Sequence, residues 1–251
     1  MKIISATHKE YWMPDDPVYL PLQVGRAISP ALPYDGDDSG ENISSKNRTF
    51  CELTAVYWAW KNLDEDFIGL CHYRRYFAGK RSRQKYDRIA GADDYRKMLA
   101  DKPCILPPMR NYFIESNYSQ YIHSHHRIDL DMTEKIIAEK CPEFLPAYHQ
   151  VMKSTRGHRF NMFVMRKDIF DGYCSWLFDI LFELERRLDI SAYSDYDKRV
   201  FGFVAERLFD VYLVQKQIPY ATMPVVYLEN QNWPAKICRF LKRKFCPERK
   251  A

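Results

Sequence analysis

The chain has 251 residues of which 46 % are hydrophobic, enough to bury a full core, and the length suits a single α/β domain. A formal charge of only +5 argues against a generally basic nucleic-acid binder, and nine glycines with no G-x-G-x-x-G or G-x-x-x-x-G-K exclude a glycine-rich phosphate loop. The seven cysteines are odd in number, scattered and never spaced C-x-x-C, so they read as reduced core residues of a cytosolic protein.

In chain order, "KIISATH" (2–8) predicts a short buried strand whose polar end, Thr7 and His8, stands where an open α/β sheet presents residues to a ligand. Residues 13–48 hold turn formers such as "PYDGDDSGENIS" and read as a long loop, either a lid or disordered. "TFCELTAVYWAWKNL" (49–63) predicts one helix, opened by a capping box of Thr49 and Glu52. "FIGLCHY" (67–73) predicts a strand that runs into two arginines. Residues 78–101 read as an insertion with a short helix, and "CILPPM" (104–109) as a short strand. The segment 111–126 predicts a polar, aromatic helix with Tyr118, Tyr121 or Ile122, and His125 near one face, followed by two short helices over 132–154. "RFNMFVMRK" (159–167) predicts a strand, residues after Asp168 a long amphipathic helix, 197–215 another, and "YATMPVVYLEN" (220–230) a last strand. Strands alternating with helices imply an α/β sheet. The N-terminal apolar stretch is too short for a signal peptide, and no apolar run reaches about 18 residues, so the expectation is a chain neither exported nor membrane-spanning.

The run "IGLCHYRRYF" (68–77) ends in His72, Tyr73, Arg74 and Arg75, where a buried strand normally meets turn formers. The arginines are either an edge ion pair or anion ligands, since the planar guanidinium matches phosphate and stays charged. If the strand persists, alternation puts His72 and Arg74 on one face and Tyr73 and Arg75 on the other. In the helix 197–215, Arg199, Gly202 and Glu206 share a face, and a mid-helix Gly marks close approach of backbone or ligand. Glu206 there is either part of an ion-pair cluster with Arg199 and Arg207 or a cleft carboxylate. His123, His125 and His126 with Asp129 and Asp131 lack zinc-site spacing, which favours hydrogen bonding over metal ligation. Cys71 and His72 are strand neighbours that point to opposite faces, which speaks against a Cys nucleophile. Residues 236–250 hold seven Lys/Arg against one Glu, interleaved with Ile237, Phe240, Leu241 and Phe245. They read as an amphipathic tail for an anionic membrane surface, as a nucleic-acid patch, or as a solvated terminus.

Four ordered blocks, "DDSGENISSKNRTFCELTAVYWAWKN", "IGLCHYRRYF", "FNMFVMRKDIFDGYCSWLFDIL" and "RVFGFVAERLF", resemble a family of small bacterial proteins long labelled a domain of unknown function. These proteins belong to capsular and O-antigen polysaccharide clusters and are regarded as glycosyltransferases, with galactofuranosyl transfer from a UDP-sugar as the associated activity. The resemblance implies a single-domain glycosyltransferase-A-like mixed sheet flanked by helices over residues 1–235, followed by the tail 236–251. It implies a UDP-sugar donor near Thr7, His8, Lys46, Asn47, His72, Tyr73, Arg74 and Arg75. The acceptor, a lipid-linked oligosaccharide, is expected near Tyr118, Tyr121, His125, Arg159, Asn161 and Arg199. The usual D-x-D metal motif is replaced by His72, Tyr73, Arg74 and Arg75, which implies transfer without a divalent metal, Asp37 and Asp38 being the remaining candidates for one. An inverting transfer needs a carboxylate base, for which Glu206 ranks first and Asp195 or Asp197 second. The expected place of work is the cytoplasmic face of the cell membrane, with no nucleic acid as partner. The alternatives are a nucleic-acid-binding protein and a non-catalytic carbohydrate-binding module.

Overall fold

A computed structural model describes residues 1–230 together with Cys238 and Lys244, so the expected amphipathic tail lies, but for those two positions, outside the described residues. The elements in chain order are β1 (Lys2–Thr7), β2 (Tyr19–Gln23), β3 (Asp35–Gly36), α1 (Asn47–Phe50), α2 (Leu53–Asn62), β4 (Phe67–His72), β5 (Arg75–Phe77), α3 (Ala92–Leu99) and β6 (Cys104–Leu106). Then follow β7 (Arg110–Asn111), α4 (Asn117–Ile122), α5 (Arg127–Lys140), α6 (Leu145–Lys153), β8 (Arg156–Gly157), β9 (Phe163–Arg166), α7 (Lys167–Arg187), α8 (Val200–Gln215), β10 (Ala221–Thr222) and β11 (Val225–Tyr227).

The strands form a mixed sheet in the order β10-β6-β9-β4-β1-β2-β3, with β5 hydrogen-bonded to β4 and β11 to β5. β1 runs parallel to β2 and β4, whereas β9 is antiparallel to β4 and β6. Alternation along the central strands divides the core in two. Ile4, Leu70 and Phe163 face the helices α2, α7 and α8, while Ile3, Cys71 and Val164 face Tyr76, Tyr95 and the β5–β11 side. Both faces are therefore covered, and the central strands read as nearly continuous apolar runs because both sides of each are buried. No helix among the described residues is long and apolar enough to cross a membrane.

Four expectations change. Residues 13–48 are not a free loop, because β2 pairs with β1 over five residues and β3 extends that edge. The helix expected over 49–63 breaks at Cys51, whose φ of 53° and ψ of −131° interrupt the hydrogen-bond ladder between α1 and α2. The strand through "IGLCHYRRYF" does not persist past His72: Tyr73 and Arg74 form a two-residue turn, and His72 pairs directly with Arg75 in an antiparallel hairpin. The strand expected from Arg159 starts only at Phe163, because Phe160 (φ 78°) and Asn161 (φ 51°) are left-handed.

Candidate active site

From β1 the chain proceeds to β2 and β3 on one side, and β4 then returns to the other, so the strand order reverses at the carboxyl ends of β1 and β4. In open α/β sheets that reversal leaves a crevice. Here it is a cleft of about 550 Å³, walled by His8 after β1, the hairpin His72–Arg75, the α1–α2 break with Asn47, Arg48 and Glu52, and the α8 face with Arg199, Gly202 and Glu206. Phe160 closes one side.

The turn 158–161 is the hub of that wall. Its two left-handed residues each cost on the order of 1–3 kcal/mol, and four contacts hold them in place. The Phe160 N–H donates to Glu206 Oε1 (2.8 Å), and the Phe160 carbonyl accepts from His72 Nε2 (2.6 Å). The Asn161 amide donates to Glu52 Oε1 (2.8 Å), and the His158 N–H to Asp210 Oδ2 (2.9 Å). The carbonyl acceptor fixes the proton of His72 on Nε2, and burial lowers the pKa of that imidazole, so it stays neutral at pH 7. His8 is also lowered, by burial first and then by Lys9, Arg74 and Arg199.

The two carboxylates of the cleft differ in what they have left to give. Glu206 has both oxygens engaged, Oε1 by Phe160 and Oε2 by Arg207 Nη1 (3.0 Å). Glu52 is held only through Oε1, and its Oε2 makes no hydrogen bond among the described residues. The cations differ likewise. Arg74 is paired with Glu229 at 2.8 Å. Arg75 lies over the Phe160 ring at 4.4 Å, its Nε is buried without a partner, and burial lowers its pKa. Arg199 Nε donates to the Cys51 sulfur at 3.1 Å, and burial pushes that thiol up to about 11, so Cys51 is no thiolate. Among the described residues, neither Arg48, Arg75 nor Arg199 forms an ion pair with a carboxylate. Arg48 and Arg199 are exposed, but Arg75 is half-buried, and a half-buried cation without a counter-charge is costly unless an anion joins it.

Of the donor-side residues, His8, Asn47, His72, Tyr73, Arg74 and Arg75 line the cleft. Thr7 is buried with its hydroxyl donating to the Lys9 carbonyl, and Lys46 is turned away into an ion pair with Glu185 at 2.7 Å. Of the acceptor-side residues only Arg199 lines it. Tyr118 donates to Asp131, buried Tyr121 to Asp129, and His125 lies 3.3 Å from Asp197 while stacking on Phe203. Arg159 is buried, donating to the Tyr112 hydroxyl, Asn117 and the His158 carbonyl, and Asn161 stands behind the wall holding Glu52. Asp197 is buried beside His125 and His126, and Asp195 is exposed, neither reaching the cleft. Sequence reasoning missed Arg48, Cys51, Glu52, Phe160, Tyr196 and Phe203 as lining residues. For Glu52 the capping-box pattern was the misleading signal: Thr49 donates to the Lys46 carbonyl and no box forms.

Among the described residues no group of three His, Cys, Asp or Glu side chains is arranged to hold a divalent metal. Asp37 accepts from the Gly25 and Arg26 N–H groups and from Ser44, Asp38 faces Arg26, and neither lines the cleft.

The family model of DUF4422, a domain of unknown function, matches residues 2–217. No curated protein matches. Among solved structures the fold is similar to the apo structure of the WbbM bifunctional glycosyltransferase, with a TM-score of 0.84 and 30 % sequence identity. That match covers 91 % of this chain and 45 % of that one, so the chain spans less than half of the protein it resembles.

Proposed function

The chain belongs to the DUF4422 family, and from that footing we propose that it is a glycosyltransferase moving a sugar, galactofuranose by the resemblance, from a UDP-sugar to a hydroxyl of a lipid-linked oligosaccharide at the cytoplasmic face of the membrane. The observation that carries the reading is the cleft at the strand-order reversal, where four arginines face two glutamates and three of those arginines have no carboxylate partner. Such a site favours an anion of two to three charges, the valence of a nucleoside diphosphate, and guanidinium forks bind its phosphates bidentately.

In this reading Arg75, Arg48 and Arg199 hold the diphosphate and do the work a D-x-D metal does elsewhere, so no step runs through a metal. Glu52 takes the base role ahead of Glu206, because only Glu52 keeps an oxygen open to the cleft. The acceptor oxygen bonds to the anomeric carbon as the bond from that carbon to the diphosphate oxygen breaks. The hydroxyl proton passes to Glu52, and the electron pair leaves on the nucleoside diphosphate, whose added charge the arginines stabilise. One displacement inverts the anomeric centre.

The test is a thermal-shift panel of UDP, GDP, CMP and their sugars, each with EDTA and with Mn²⁺. Uridine diphosphates are expected to raise Tm equally under both conditions, by about 2.7 kcal/mol of stability at 100-fold Kd, and Arg75→Ala to abolish the shift. A chain that answers to no nucleoside diphosphate, or only with Mn²⁺, would refute the reading.

A further inference from the structure

Away from the cleft floor, the segment between β6 and α4 shows what the core rules do not explain. Phe113 is 80 % exposed, Ile114 50 % and Met109 44 %, three large apolar side chains within six positions. The tip is built rather than loose. β7 pairs with β8, the Tyr112 N–H donates to the Thr155 carbonyl (2.9 Å), and the Asn117 N–H to the Ser154 carbonyl (2.8 Å). Tyr112 is buried and anchored by Arg159, while Phe113, at φ 56°, is turned outward in a conformation that a bulky residue rarely adopts, its N–H held by Asn111 Oδ1 at 2.8 Å.

The exposed charges that flank the tip along β7 and the approach to its partner β8 are cations. Arg110, Lys153 and Arg156 are exposed, and Lys244, from the basic segment 236–250, donates to the Ile114 carbonyl at 2.6 Å. The neighbouring acid, Glu115, is buried against His123 and shows no charge to solvent. An apolar tip flanked by cations complements an anionic lipid surface, where the rings enter the acyl boundary and the cations meet phosphates. Tyr227 is within electrostatic reach of both Arg110 of the tip and Arg75 of the cleft. Burial raises the Tyr227 hydroxyl and the guanidiniums of Arg75 and Arg110 pull it back, and the Tyr227 ring lies 6.3 Å from that of Phe160 in the cleft wall.

We propose that residues 109–114 dock the protein on an anionic bilayer, with Met109, Phe113 and Ile114 inserted and Arg110, Lys153 and Arg156 on headgroup phosphates. Only one consequence rests on the glycosyltransferase reading, namely that docking brings a lipid-borne acceptor to the cleft mouth; the surface itself does not depend on it.

The experiment is co-sedimentation of the full chain with phosphatidylglycerol-containing and with pure phosphatidylcholine vesicles, alongside sedimentation velocity without lipid. The wild type is expected on anionic vesicles only. Phe113→Asn with Ile114→Ser is expected to weaken binding at least about tenfold, Asn being content with the left-handed backbone. Arg110→Gln with Arg156→Gln is expected to flatten the salt dependence. A Phe113→Trp variant should show a blue-shifted emission on vesicles. An unchanged uridine-diphosphate shift in each variant reports an intact fold, and vesicle binding without any nucleotide shift would remove the glycosyltransferase reading while leaving the docking surface in place. Wild-type protein that ignores anionic vesicles, a tip variant that binds them undiminished, or self-association that the tip variant loses would each overturn the proposal, the last by making the tip a protein contact.

Discussion

At the scale of single residues, the site turns on which carboxylate is free. Glu52 and Glu206 both reach the cleft, but Glu206 is committed to the strained Phe160 N–H and to buried Arg207, and so reads as a positioning residue. Replacing each by glutamine separates the roles. Glu52→Gln keeps the acceptor for Asn161 and removes the proposed base, so on the glycosyltransferase reading kcat for transfer is expected to fall about 10²–10⁴-fold with nucleotide affinity and Tm little changed. Glu206→Gln leaves Arg207 without its counter-charge and is expected to cost about 2 kcal/mol of stability, with a smaller loss of kcat. Single-turnover transfer and urea unfolding measure both. A Glu206→Gln enzyme that folds normally yet is dead, beside an active Glu52→Gln, would reverse the assignment. Position alone could not have told these two glutamates apart in the sequence, since each sits in a helical pattern beside apolar residues, and what distinguishes them is a contact with residues 160 and 161 more than 40 positions away.

At the scale of elements, regular structure was legible where periodicity was strong and illegible where the chain departs from it. The amphipathic pattern of α7 and the short apolar runs of β1 and β4 are local properties and survive in the fold. The break between α1 and α2 is not local: "TFCELTAV" reads as helix throughout, and what bends it is the contact of Cys51 with Arg199 and of Glu52 with Asn161. Cys51 and Glu52 have the dihedrals of a type II′ turn, with Cys51 where glycine is favoured. Left-handed strain of about 1–3 kcal/mol at this residue exceeds the entropic cost of glycine, about 0.5–1 kcal/mol. Cys51→Gly is therefore expected to raise stability by about 1 kcal/mol in urea unfolding while weakening nucleotide binding, because the sulfur that positions Arg199 is gone. A loss of stability instead would show that packing of the thiol outweighs the backbone strain.

At the scale of the whole molecule, the mixed α/β architecture followed from strands alternating with helices, but the position of the cleft did not, because it depends on β4 returning beside β1 rather than beyond β3. That return half-buries His72 where β4 meets the 158–161 turn, and it ties global stability to pH. The imidazole is neutral in the fold, its pKa lowered by burial from an ordinary 6.5, and Glu52 nearby only partly opposes the shift. Below that value the unfolded chain takes up a proton that the folded chain refuses, so stability rises with pH there and is lost on acidification. His8 shifts in the same direction and adds to the effect. Asp129, which burial raises above its ordinary 3.8, acts in a more acidic window and with the opposite sign. The melting temperature is therefore expected to fall as pH drops from about 7 through 6.5 towards 5.5. His72→Gln, whose amide can still donate to the Phe160 carbonyl but does not titrate, is expected to flatten that slope. A wild-type melting temperature constant across the window, or a slope that His72→Gln leaves untouched, would show that the hub of the cleft wall is not what acid unfolds first.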